Sequence, residues 1–74
     1  MDVGKRYFEW ISVQEGYPED GERVLVTRKN IPNRPELCVW NGYYEVWDDS
    51  EGDDVAYDKE DIECWMRIRT TMFD

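Results

Sequence analysis

The run Asp48-Asp49-Ser50-Glu51-Gly52-Asp53-Asp54 is where this chain comes nearest to a chemical motif. Acids spaced around a glycine are the raw material of a calcium loop. Such a loop needs oxygen ligands at its first, third and fifth positions, glycine at the sixth and a bidentate acid at the twelfth. Placing Gly52 sixth puts Trp47 first, where a ligand is required. Placing Asp48 first puts Asp53 where glycine belongs and Lys59 at the twelfth position. Both registers fail. Zinc requires clustered Cys or His, and the chain has two separated cysteines, Cys38 and Cys64, and no histidine. Neither Ser12 nor Ser50 lies in a nucleophile motif. Cys38 and Cys64 fall at strand positions, where a free thiol behaves as a small buried hydrophobe. No glycine-rich turn opens a helix to cradle a phosphate. The expectation is a non-enzymatic protein with no metal and no cofactor.

What remains is charge. From Glu45 to Glu63 there are ten acids and one base, Lys59, and the rest of the chain is neutral, so this segment carries the whole net charge of -9. That charge opposes direct binding to nucleic acid, whose phosphates call for Lys and Arg, and to anionic membranes. It suits a basic protein. Alternate side chains on a strand lie roughly 6.6 Å apart, about two steps of the phosphate spacing along one DNA strand. A row of carboxylates can therefore occupy a basic nucleic-acid-binding groove. The candidate contacts are Glu45, Asp48, Asp49, Glu51, Asp53, Asp54, Asp58, Glu60, Asp61 and Glu63. Trp40, Tyr43 and Trp47 are the candidate aromatic anchor. The competing expectation is a solvated, solubilising loop, with the aromatics covered by another strand or by the segment holding Tyr7, Phe8 and Trp10.

Short elements must position these groups. Eleven aromatic residues among 74 bury enough area to fold one small domain, expected over residues 7–69 between tails at 1–6 and 70–74. Tyr7–Val13 and Arg23–Lys29 read as strands, separated by the turn Tyr17-Pro18-Glu19-Asp20-Gly21. Asn30–Pro35, with two prolines and two asparagines, reads as a loop. Glu36–Asp48 reads as a hairpin turning at Asn41-Gly42. A two-residue turn there pairs Trp40 with Tyr43 and Leu37 with Val46. It divides the side chains into a core face (Leu37, Val39, Tyr44, Val46) and an outward face holding Cys38, Trp40, Tyr43, Glu45 and Trp47. Asp49–Asp61 is a long acidic connection with a helical turn near 58–61, and Ile62–Arg69 is the last strand. The expected fold is mainly β: a small antiparallel sheet of four to five strands, curled or partly closed, with a long acidic loop.

The segment W-I-S-V-Q-E-G-Y-P-E-D-G-E-R-V-L-V, Trp10 to Val26, resembles the phage- and prophage-associated domain-of-unknown-function family 551. Its members read approximately W-I-S-V-x-E-x-L-P-x-x-G-x-x-V-L-V. Gly42 and Trp47 fit that family's Gly-x-W region. Ile62-Glu63-Cys64-Trp65-Met66-Arg67-Ile68 is similar to its closing V-T-H-W-M-P-L, with Cys64 in place of the usual His and Arg67 in place of the usual Pro. The resemblance covers most of residues 10–68. It implies a small β-rich accessory protein of a phage or prophage, acting in a bacterial cytoplasm, and it brings no catalytic residues. The absence of an N-terminal apolar run and of a membrane-length stretch supports the same location. In that setting the expected activity is binding and inhibition of a nucleic-acid-handling host or defence protein, in the manner of a DNA mimic or an anti-CRISPR inhibitor. The alternative is a prophage interaction module whose acidic loop only solubilises.

Overall fold

The computed structural model describes residues 6–68. The expected tails, 1–6 and 70–74, lie outside it except for Arg6, whose guanidinium bonds Glu9 (3.2 Å) and Glu15 (2.8 Å). Six strands form one antiparallel sheet: β1 (Trp10–Ser12), β2 (Arg23–Arg28), β3 (Ile31–Asn41), β4 (Val46–Asp48), β5 (Val55–Asp58) and β6 (Ile62–Arg67). Their spatial order is β1-β6-β2-β3-β4-β5, and the sheet is open, with β1 and β5 at its edges. The expected class is correct, and the strand count is one to two higher than expected. The added strand is β5, inside the stretch read as a continuous loop. Its Tyr57 pairs with Trp47. The short turn before β6 is a 3-10 turn, Lys59–Asp61.

The hairpin differs from expectation in register. Trp40 pairs with Trp47, and Asn41 with Val46, leaving a four-residue connection rather than a two-residue turn. Asn41 explains the difference. Its Oδ1 accepts hydrogen bonds from the backbone N–H of Tyr43 (3.1 Å) and Tyr44 (3.0 Å), so it caps a wider turn. Glu45 closes that turn in the left-handed region, at φ 57°. Gly42 is needed for close approach instead. A Cβ there would stand 3.2 Å from Asp20 Cβ, and its N–H donates to Asp20 Oδ1 (2.8 Å).

The two faces are inverted relative to expectation. Val24, Val26, Cys38, Trp40, Trp47 and Trp65 are buried together on the inner face with Ile11 and Ile62. Leu37, Val39 and Val46 face the other way and are half-buried, while Tyr44 is 71% exposed. The alternating sets are those read from the sequence; what covers them decides which is core. The segment Val13–Pro18 crosses the inner face. Its Tyr17 stacks on Trp40 at 4.5 Å between centroids, and Gly16 O accepts the indole N–H of Trp65 (2.9 Å). Ile62 joins the core with Trp65, three residues on, although strict alternation would place them on opposite faces. Thr27 pairs with Cys64 and Arg28 with Ile62, so Glu63 is squeezed out of the ladder and the alternation resets.

A second irregularity lies in β3. Between Val26↔Glu36 and Arg28↔Ile31, β3 advances five residues while β2 advances two. Of the residues expected to form a loop, Asn30 lies in the β2–β3 turn, while 31–35, including Pro32 and Pro35, belong to a strand but bulge out of its ladder. Proline, which has no N–H to donate, is tolerated in such a place.

Candidate protein-binding edge

β4, the following turn, β5 and the 3-10 turn lay out the acids from Asp48 to Asp61 along one edge of the sheet. The acids divide into two kinds. Some hold the edge together. Asp49 Oδ1 accepts from the backbone N–H of Glu51 (3.1 Å) and Asp53 (3.0 Å), while its own N–H donates to Asp54 O (2.8 Å). These bonds, that from Asp53 first, hold the Asp49 carboxyl below its usual range. Gly52, at φ 77°, supplies the left-handed step of that turn. Asp61 Oδ2 accepts from the N–H of Asp58 (3.1 Å), and Asp48 accepts from Asn41 Nδ2 (3.3 Å). Glu45 bonds Lys59 Nζ at 2.6 Å, which lowers the Glu45 pKa and raises that of Lys59. The same ammonium lies 5.2 Å from the Tyr17 ring centroid, so the one base of the segment is engaged on both sides.

Glu51, Asp53, Asp54 and Glu60 are the other kind. They are exposed, their carboxylates accept no hydrogen bond, and they form no ion pair among the described residues. Glu63 is equally unpaired but stands apart from the edge, beside β1 on the outer face.

The proposed aromatic anchor does not hold as a set. Trp47 is 0% and Trp40 5% exposed, 4.7 Å apart between ring centroids. They are core, because the wider turn pairs them directly under Tyr17. Tyr43 alone is exposed, at 82%, and packs edge-on against Tyr44. Sequence alternation assigned Tyr44 to the core; the capping Asn41 was the signal that the chain leaves the ladder before Tyr44. Val55, also exposed, adds an apolar side chain on β5.

The thiols are held in the neutral form. Burial pushes Cys38 up to about 12, with the charges of Glu36, Asp49 and Asp48 adding to it. Burial also raises Cys64, helped by Glu63. Neither is a thiolate at neutral pH, the form that nucleophilic chemistry needs. Among the described residues no three Cys, Asp or Glu side chains converge to hold a metal ion, and no helix is long and apolar enough to cross a membrane.

The family described as "Protein of unknown function (DUF551)" matches residues 9–70. The chain belongs to it. The match runs from β1 through β6, so the inner core and the acidic edge both lie within the DUF551 region. No curated protein and no solved structure matches the chain.

Proposed function

We propose that this DUF551 protein is a non-enzymatic binding protein of phage or prophage origin, acting in a bacterial cytoplasm. Its acidic edge occupies the nucleic-acid-binding surface of a basic host or defence protein and inhibits it. One observation carries the reading: Glu51, Asp53, Asp54 and Glu60 are exposed and form no ion pair among the described residues. The sole base within Asp48–Asp61 is tied to Glu45 and Tyr17, while Arg23 reaches the segment only through Ser50 O and Arg28 and Lys29 line a cavity beside Glu60. Carboxylates in that state steer a cationic surface and replace its phosphates. Tyr43, Tyr44 and Val55 supply apolar contact in place of the buried tryptophans.

The test is a panel of purified basic DNA-binding proteins, each with and without competing duplex DNA. Binding is expected to fall steeply with salt and to be displaced by DNA. Reversing Glu51, Asp53, Asp54 and Glu60 to Lys brings the net charge from -9 to -1. It leaves Asp49 and Asp61, which hold the backbone, in place. That variant should fold and lose binding; equal binding by the reversed protein refutes the reading. A second reading has its own support: β5 is an edge strand, and charge on an edge blocks pairing with other chains. On that reading the reversed protein loses no partner.

A further inference from the structure

The outer face of the sheet holds a groove that the acidic edge does not use. Trp10 of β1, the bulged Pro32, Asn33 and Pro35 of β3, Thr27 of β2, and Glu63 and Cys64 of β6 line it. It is a wide, shallow depression of about 470 Å³, open to solvent. The register extends the groove into a band. Trp10 pairs with Met66, Met66 with Leu25 and Leu25 with Leu37, a row of four apolar side chains across four strands with no charge among them. Trp10 is 41% exposed, although a ring of this size is normally covered.

We propose that this groove takes an extended segment of the basic partner. The segment carries proline or aliphatic residues against Trp10 and an arginine or lysine over Glu63. This rests on the acidic-edge reading and adds a second apolar contact, on the outer face, to that of Tyr43, Tyr44 and Val55. Trp10 and the two prolines are rigid rings that lose little side-chain freedom on binding, and an extended proline-bearing segment suits an aromatic-lined surface because its own conformation is already formed. Glu63 sets the charge of the occupant. Its carboxylate is exposed, accepts no hydrogen bond and has no ion-pair partner among the described residues; Lys29 lines the adjoining cavity with it but forms no ion pair, so a cation placed against the carboxylate makes a contact that no group of this chain now makes. A second copy of the chain fits poorly, because a two-fold pairing across this face brings another Glu63 and another net charge of -9 towards it.

The experiment is to pan a random-peptide library against the protein, with Trp10→Ala as the counter-target. Enriched peptides should share Pro, Leu, Ile or Val next to Arg or Lys. They should bind Trp10→Ala about tenfold more weakly than the parent, as for loss of an aromatic anchor. Glu63→Lys, an exposed change that spares the fold if Trp10→Ala does not, should weaken them by a similar factor. The variant Glu51→Lys, Asp53→Lys, Asp54→Lys, Glu60→Lys should still bind these short peptides. Peptides that bind Trp10→Ala and Glu63→Lys as well as the parent, or no enrichment over the counter-target, overturn the groove. Either result leaves the acidic edge to its own salt and charge-reversal test.

Discussion

Trp40 and Trp47 carry opposite meanings in sequence and structure. As sequence they stand at the mouth of an acidic run, beside Tyr43, and read as an exposed anchor. In the fold they face each other across β3 and β4 under the Tyr17 ring. Replacing Trp47 by Ala should therefore cost about 3–5 kcal/mol in urea unfolding, the range for losing a buried large aromatic. Tyr43→Ala should change stability by less than about 0.5 kcal/mol, as exposed substitutions do. Comparable losses from the two variants would contradict the inverted faces. The two alternating sets were legible because side-chain period in a strand is fixed by geometry. Which set is core was not legible. That is decided by Val24 and Val26 on β2, by Trp65 on β6 and by the crossing segment at Tyr17, all distant in sequence from the hairpin.

At the level of elements, most of what was missed has one source: strands that exist only because of a neighbour. Val55-Ala56-Tyr57-Asp58 has acids on both sides and no strong strand signal. It becomes β5 because Asp49 first turns the chain back, letting Tyr57 lie beside Trp47. That turn predicts a pH dependence. The Asp49 carboxyl is lowered from its ordinary value of 3.8, so the stability it contributes is present above that value and lost as pH falls through the lower folded value. Asp49→Asn should lower the urea midpoint at pH 7, and the two proteins should converge as pH falls below 3.8. A gap that stays constant from pH 7 to pH 3 would mean that the charge of Asp49 does not hold the turn. Asn41 belongs to the same lesson. Next to Gly42 it looks like a tight-turn residue, yet here it caps through its side chain, and only the pairing of two tryptophans makes the wider turn preferable.

Across the whole molecule, the edge with its excess of acids lies at one end of the strand order and the apolar groove near the other. Crowded carboxylates repel one another through water, so the folded state is under electrostatic strain that salt relieves. Raising sodium chloride from about 0.05 M to about 0.5 M, which shortens the screening length to a few ångströms, should raise Tm by several degrees. The protein with Lys at 51, 53, 54 and 60 should show a smaller rise. A parent Tm that falls with salt would mean that attractive pairs such as Arg67–Glu22 and Lys59–Glu45 outweigh the repulsion.

The strand order also dictates when the protein acquires its structure. β6 is synthesised after every other strand, yet it lies between β1 and β2 and carries Trp65 into the core. A nascent chain can close the β3–β4 hairpin early, but it cannot join β1 to the sheet until the ribosome has released β6. Such long-range closure is slow. Until it happens the apolar inner face is open to other chains, and during that interval like charge on the β4–β5 segment repels other copies of the growing polypeptide.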